Sequence, residues 1–495
     1  MMQFLGMFRH ARTIHAQGLT KEMFVSLGRN AVSARDVYAQ GGLIVMAEGE
    51  ARNRNQLTRA LKLSYDASMS LITARAYRTW GADYPRRLEG NVVTAVIDRA
   101  EDRMIVSSDR AGAIAVFYAW RGRSAAFASH PELLLKMGAA GRRIGRDGIC
   151  ELFALGGYFS PGRTAFRDIR QLEGGCVLVA DSRGMRIKRY DSCVQAALKD
   201  EDVPFTLNDY IKTLPQREYA LLLSRGFSEK MAKPLRDRTG AVLYHHVSRD
   251  RDETEELSGK LNAPVEAVSA APQALIEAIH ENVIATGFPG TGAEEAVIYS
   301  VMKEASGVNL TPIIGGEGVF ALESMTEGNL LRFLKRDIYE KIDAEGYARD
   351  RLNEIIDKLH LPMDAPGGEE WAERIAVCYS SAGEYVRRLR LISDHVGCGC
   401  FCPIMDERFL RNMLSGLLDN ACGRAVKKYL PAYEKAIIEE MRLLLDSEDQ
   451  PVFELVDVKA AAREMNAESA DVSALSRLIA INSFLYRYEV EISGL

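Results

Sequence analysis

Two folds in succession are predicted: a mainly antiparallel β-layered domain with helices on its outside, then a parallel doubly wound sheet carrying a helical extension. Three observations predict them. Short apolar runs punctuated by charged turns and glycines fill residues 40–190; strand, turn and helix units repeat from residue 218 to residue 318; and the pattern beyond residue 330 is helix-rich.

In the first part, Asn91–Asp98 (NVVTAVID) and Arg103–Asp109 (RMIVSSD) read as two strands around the polar turn Arg99–Asp102, a hairpin with apolar alternation. Phe127–Ser129, followed by His130, Pro131 and a leucine-rich stretch, reads as a strand leading into a helix. Gly174–Ala180 and Met185–Tyr190 bracket a further turn at Asp181–Gly184. Composition changes after Asp191, and Ala196–Gln216 reads as a polar, irregular linker. Beyond it, Glu218–Leu223 (EYALLL) ends in Ser-Arg-Gly and leads into helical periodicity over Ser228–Arg238. Ala241–Val247 is a second apolar run, followed by the charged segment Ser248–Leu261, and Leu310–Ile314 is a third, ending in Gly315-Gly316-Glu317-Gly318. Apolar strand, glycine turn and helix in that order indicate a parallel doubly wound sheet.

With 495 residues, 47% of them hydrophobic and 26% charged, the chain is long enough for more than one core. A net charge of −5 spread without basic clusters gives no electrostatic basis for binding nucleic acid or an anionic membrane. No run approaches the roughly 18 apolar residues of a membrane-spanning helix. The opening MMQFLGMFRHARTIHAQG places Arg9, His10 and Arg12 directly after a few apolar residues, unlike a signal peptide, so a cytoplasmic protein is expected. Its oligomeric state stays open.

Several segments, in order, resemble the class B asparagine synthetases. Residues 80–119 (WGADYPRRLEGNVVTAVIDRAEDRMIVSSDRAGAIAVFYA) resemble their glutaminase-like half, including an Asp-Arg-x-Gly turn at Asp109-Arg110-Ala111-Gly112. FASHPELL at 127–134 and GYFSPGRTAFRDIRQLEGG within 156–175 follow further elements of that half. In the second half, LLLSRGFSEK at 221–230 stands at the pyrophosphate-binding loop and GGEGVFALES at 315–324 at the Ser-Gly-Glu-Gly-Ala-Asp-Glu element. Cys402-Pro403-Ile404-Met405-Asp406 is similar to Pro-Phe-Leu-Asp, and Lys427-Lys428-Tyr429-Leu430 to Lys-Tyr-Ile-Leu-Arg. The same architecture serves β-lactam synthetases, carbapenam synthetases and lasso-peptide cyclases. The resemblance implies an α+β, Ntn-hydrolase-like αββα sandwich over residues 1–195 and a linker over 196–216. It implies an α/β, ATP-pyrophosphatase-like doubly wound parallel sheet with a helical extension over 217–495.

The residues that this chemistry needs are largely replaced. A glutaminase of this kind attacks with an N-terminal cysteine, whose α-amine serves as base. Aligning Gly6-Met7-Phe8 with the family's Gly-Ile-Phe puts Met2 there, and a thioether cannot attack an amide. Glu48-Gly49-Glu50 stands for the substrate-holding Asn-Gly-Glu. Adenylation of a carboxylate requires ATP, Mg²⁺ and neutralisation of the leaving pyrophosphate. In the first loop Ser224 and Gly226 persist, but Arg225 replaces a glycine and Ser228 an aspartate expected to hold metal. In the second element Gly316, Glu317 and Gly318 persist, but Phe320 and Ala321 replace the Asp-Glu pair. Neither a hydroxyl nor an aromatic ring supplies the anionic oxygen that Mg²⁺ prefers; Arg225 and Lys230 offer charged donors to an anion instead. Counting back from Asp406 puts Gly399 at the acceptor-side Glu and Phe401 at the Arg, while Lys427 or Lys428 keeps the lysine that stabilises charge during attack on the adenylate.

Cys398, Cys400 and Cys402 alternate in GCGCFCP, so an extended segment would present three thiols on one side. With His395 or Cys422 they would make a tetrahedral zinc set; the alternative is core packing. His245 and His246 border an apolar run and read as satisfied structural histidines. Asp252, Glu253 and Glu255 resemble the acidic start of the family's second helix and equally cap a helix. Glu294 and Glu295 lie near the acidic substrate segment, where a solvated helical face explains them as well.

Two functions follow from the resemblance and its departures. One is a pseudoenzyme or accessory protein, without cofactor, that binds a peptide, a small carboxylate or an active ligase paralogue in a biosynthetic pathway. The other is a divergent amide ligase that uses ATP and Mg²⁺ without hydrolysing glutamine.

Overall fold

The computed structural model describes residues 4–8, 23–27, 30–198, 205–223, 227–246, 251–268, 271–315, 324–326, 328–361, 363, 368–417, 433–447 and 449–494. They fall into two compact units. One comprises Met1–Arg142, Pro161–Glu201 and Met405–Arg411; the other comprises Arg143–Ser160, Asp202–Ile404 and Asn412–Leu495. A linear division at 195 and 217 therefore misses two excursions: 143–160 groups with the second unit and 405–411 with the first.

The first unit is built on two six-stranded sheets. Its strands are β1 (Leu5–Phe8), β2 (Met23–Leu27), β3 (Asn30–Ala34), β4 (Asp36–Gln40), β5 (Leu43–Gly49), β6 (Val92–Asp98), β7 (Arg103–Ser107), β8 (Phe117–Arg121) and β9 (Ser124–Ala128). After β10 (Arg143–Ile144), which belongs to the other unit, come β11 (Arg170–Gln171), β12 (Cys176–Asp181) and β13 (Gly184–Arg189). One sheet runs β11-β8-β9-β1-β3-β2 and the other β13-β12-β7-β6-β5-β4. Every pairing in both is antiparallel.

Alternation decides which residues fill which layer. Ile44, Met46, Val93, Ala95, Ile97, Met104 and Val106 point into an inter-sheet core, where they meet Phe4, Phe8, Val32, Tyr118 and Phe127 of the first sheet. Val45, Val96, Ile105, Val177 and Val179 face the opposite way. They pack under helices α1 (Arg54–Ala60) and α2 (Met69–Trp80) through Leu57, Ile72 and Tyr77. Helix α3 (Pro131–Lys136) packs against β8 and β9; His130 accepts the Glu132 N–H through Nδ1 and Pro131 occupies the first turn, as the sequence predicts. The unit is the predicted helix–sheet–sheet–helix sandwich.

The second unit is organised on a parallel sheet. Its strands are β14 (Tyr219–Leu223), β15 (Val242–His246), β16 (Val265–Val268) and β17 (Thr311–Ile314), ordered β16-β15-β14-β17. All three pairings are parallel. A separate two-stranded ladder joins β10 to β18 (Glu491–Ile492). Strands β14, β15 and β17 match the predicted apolar runs, whereas β16 is half-exposed and polar enough to escape an apolar search.

The described residues of 196–216 are not irregular throughout. They include the end of α5 (Cys193–Leu198) and all of α6 (Leu207–Thr213). Thr206 and Asp209 form a reciprocal capping box on α6, and its Tyr210 and Ile211 enter the core under β14 and β15. The local cap was legible in Thr-x-x-Asp, but the short polar helix hides its apolar face. Helix α7 (Phe227–Thr239) contributes Met231 and Leu235 to that core, and α8 (Arg251–Leu261) fills the charged segment.

Helices α4 (Arg146–Phe153), α9 (Pro272–Thr286) and α10 (Ala293–Gly307) belong to this unit too. The predicted helical extension is α11 (Arg336–Ile342), α12 (Ala344–Leu359), α13 (Gly368–Val396), α14 (Glu407–Leu417), α15 (Glu434–Leu445), α16 (Val458–Met465) and α17 (Val472–Arg487). Among the described residues no helix is long and apolar enough to cross a membrane.

Candidate functional site

In a parallel sheet whose strand order reverses, ligands collect at the carboxyl ends of the strands flanking the reversal. Here those strands are β14 and β17, which run in parallel with Leu222 opposite Ile314. The two predicted phosphate-binding elements follow these two strands in the sequence. Ser224, Arg225 and Gly226 follow directly on β14, and Gly316, Glu317 and Gly318 lie just beyond β17; all six lie outside the described residues, with Phe320, Ala321, Lys427, Lys428, Cys422 and Met2.

Two predicted residues of the first loop are described. Ser228, in the first turn of α7, has no exposed surface at all. Lys230 is exposed, and between them Glu229 receives Lys260 Nζ at 2.5 Å. The residue at the expected metal position is thus packed inside the protein.

The acceptor-side segment is built into the sheet. Phe401 N–H donates to Pro312 O and Ile314 N–H to Phe401 O, each at 2.9 Å, so residue 401 extends the sheet beside β17. Its ring meets Tyr219 edge-on, with centroids 5.8 Å apart and planes at 82°, and the Arg217 guanidinium lies 5.8 Å from its centroid. Phe401 therefore packs against the strand core. Gly399 has φ +64° and Gly397 φ +88°, left-handed conformations that glycine adopts without strain. A Glu at 399 would be strained there.

These two bends also overturn the extended reading of the cysteines. Cys398 Sγ donates to Ser393 O (3.8 Å), Cys400 Sγ to Leu389 O (3.7 Å) and Cys402 Sγ to Gly315 O (3.6 Å). The three thiols do not converge, and among the described residues no group of three His, Cys, Asp or Glu side chains is arranged to hold a metal ion. His395 engages Glu281 through Nε2 at 3.0 Å.

Beside this edge lies a buried charge network that sequence reasoning missed. Glu295, near the start of α10, accepts from Arg388 Nε and Nη2 of α13, each at 2.6 Å. Arg388 Nη2 also reaches Thr286 Oγ1 (3.3 Å), its Nη1 lies 3.9 Å from Glu384, and Glu384 pairs with Arg387 at 3.2 Å. Burial alone would pull the Arg388 guanidinium down, but the carboxylates of Glu295 and Glu384 outweigh it and its pKa rises. The turn between α9 and α10 is shaped to this pair: a Cβ on Gly290 would stand 2.0 Å from Arg388 Nη2. Glu295 is therefore no solvated helical face. Arg477 of α17 is buried nearby with backbone partners, Gly328 O and Leu155 O, and desolvation pushes it down to about 10. The Arg-Arg pair inside an apolar helical repeat was the one signal that pointed to this network.

His245 is buried with Nδ1 3.4 Å from Thr254 Oγ1, the structural role expected of it. Glu255 is exposed on α8, while the side chains of His246, Asp252 and Glu253 lie outside the described residues.

In the first unit the Glu48-Gly49-Glu50 segment ends β5 beside Asn91, whose carbonyl accepts the Glu50 N–H at 3.1 Å. Gly49 has φ +90°, and a Cβ there would stand 2.1 Å from Asn91 O. Two residues on, Arg52 is held by Glu407 Oε1 at 2.7 Å and Glu89 at 3.3 Å. The Asp109 carboxylate of the Asp-Arg-x-Gly turn is buried and accepts the N–H groups of Ala113 and Ile114, each at 2.9 Å. Desolvation raises it to about 6 against those hydrogen bonds. Its role is to close the turn that leads into β8.

Residues 30–191 match the family model of the glutamine amidotransferase domain. Over 150 residues the chain is 27% identical to asparagine synthetase [glutamine-hydrolyzing] 3 of Bacillus subtilis strain 168, a stretch that is 30% of this chain and 24% of that protein. The match spans about a quarter of that relative's length. Among solved structures, the glutamine phosphoribosylpyrophosphate amidotransferase of B. subtilis complexed with ADP and GMP is 11% identical, with 54% of this chain and 75% of that one covered and a TM-score of 0.26. A glutamine aminotransferase class-II domain protein from Silicibacter pomeroyi is 14% identical, with 32% and 74% covered and a TM-score of 0.22.

Proposed function

We propose that this chain is an asparagine-synthetase-like accessory protein that retains the two-unit scaffold and has given up glutaminase and ordinary adenylation chemistry. One observation carries the reading: two of the described positions that align with metal and acceptor groups are packed into the frame, and the backbone of the third opposes a Glu. Ser228 is fully buried, Gly399 is left-handed, and Phe401 stacks on Tyr219. Met2 at the nucleophile position and Phe320 and Ala321 at the Asp-Glu pair support it from the sequence. In this role the chain binds a peptide, a small carboxylate or an active ligase paralogue of a biosynthetic pathway.

The competing function is a divergent ATP-dependent amide ligase in which Arg225, Lys230 and Lys427 or Lys428 substitute for the missing groups. Calorimetry with Mg-ATP, then a pyrophosphate-release assay with candidate carboxylates, separates the two. The accessory reading expects no metal-dependent nucleotide binding and no pyrophosphate. Tight Mg-ATP binding with carboxylate-dependent release would establish the ligase.

A further inference from the structure

Cys398 and Cys400 come just after α13, beyond Gly397, and their thiols have no part in the scaffold role. Cys398 is half-buried and Cys400 buried. Their thiols approach one helix turn: Cys398 Sγ donates to Ser393 O at 3.8 Å, Cys400 Sγ to Leu389 O at 3.7 Å, and the Cys400 thiol also engages the Ser393 side chain. Ser393 thus touches both sulfurs. Residues two apart in the chain have Cα atoms at most about 7 Å apart, and the left-handed Gly399 between these two bends the segment further. A disulfide needs Cα atoms about 4.4–6.8 Å apart. Cys402 instead turns to Gly315 O.

We propose that Cys398 and Cys400 are a thiol-modification site that closes to an intramolecular disulfide, with a low-molecular-weight disulfide such as oxidised glutathione as the oxidant. The Cys398 thiolate, the more exposed of the two, attacks one glutathione sulfur and expels the other glutathione as a thiolate. The Cys400 thiolate then attacks Cys398 Sγ and expels the second. Two protein thiols are oxidised, one glutathione disulfide is reduced, and the two protons released by the cysteines end on the two glutathione thiols. Burial pushes Cys398 up to about 12 and Cys400 up to about 11. Closure is therefore slow at neutral pH and accelerates about tenfold per pH unit as the thiolate fraction grows. Closure removes two S–H donors from the last turns of α13.

The test uses the full native chain, which has eight cysteines. It is equilibrated with mixtures of reduced and oxidised glutathione, quenched with acid, and followed by intact mass, maleimide labelling and peptide mapping. The expected product is two hydrogens lighter, has lost two maleimide-reactive thiols and maps to a 398–400 link. Cys402→Ser closes as the parent does, whereas Cys400→Ser stops at a glutathione adduct on Cys398. A parent chain that keeps all eight thiols across the range overturns the proposal, as does one that accumulates the Cys398 adduct without closing.

Discussion

Glu295 holds Arg388 through two parallel hydrogen bonds of 2.6 Å, and both side chains are almost wholly removed from water. Burying either charge alone is unfavourable, so the pair acts as a unit that ties the start of α10 to the middle of α13. Glu295→Gln leaves the guanidinium without its main counter-charge and is expected to cost about 3–5 kcal/mol in denaturant unfolding. Joint replacement, Glu295→Leu with Arg388→Met, is expected to recover most of that loss. A double variant as unstable as Glu295→Gln would show that the network matters through shape, not charge.

Gly6 lies opposite Phe127 across the β1–β9 ladder. A Cβ on Gly6 would stand 2.2 Å from the Phe127 ring; Gly6 is buried and Phe127 belongs to the inter-sheet core. Gly6→Ala is expected to destabilise the first unit by about 1–3 kcal/mol through overpacking. Phe127→Leu removes the obstacle, so the double variant should be less destabilised than the sum of the two single changes, a coupling readable by a double-mutant cycle. Strict additivity would contradict the contact.

Legibility differed between fold and site for physical reasons. Strands such as Val92–Asp98 alternate between two cores, and β14, β15 and β17 are short apolar runs, so periodicity announced them. Helix α6 and strand β16 gain stability from tertiary neighbours and carry little apolar signal of their own. The roles of Gly399 and Phe401 depend on a backbone φ and on a partner at Tyr219, far away in sequence. Motif alignment could mark the departures at those positions, but not the local structure found there.

Asp109 gives the first unit a pH signature. Its folded pKa, about 6, lies above the ordinary 3.8 because desolvation outweighs the two N–H donors. The folded state therefore holds the proton more tightly than the unfolded chain. The associated stability is present in full below about pH 4 and is lost as pH rises through about 6, a decline of up to about 3 kcal/mol. Asp109→Asn, which cannot titrate, is expected to be less stable at low pH because one N–H loses its acceptor. Its deficit relative to the parent should shrink between pH 4 and pH 7 as measured by denaturant midpoints; a constant deficit would contradict the shift.

Restoring the residues expected of an active synthetase provides the most direct trial of the proposed function. Gly399→Glu forces a side chain onto a φ of +64°, a strain of about 1–3 kcal/mol. Phe401→Arg removes a ring packed on Tyr219 and puts a charge beside Arg217, for a further loss of about 3 kcal/mol. Ser228→Asp buries a carboxylate at a position with no exposed surface. Each change is therefore expected to lower the melting temperature, and the triple variant is expected to release no pyrophosphate from ATP with any carboxylate tested. The burial of Ser228, the packing of Phe401 and the left-handed backbone of Gly399 oppose these changes. A triple variant that melts with the parent and turns over ATP would mean that the pocket persists beneath the substitutions, and the accessory role would have to be abandoned.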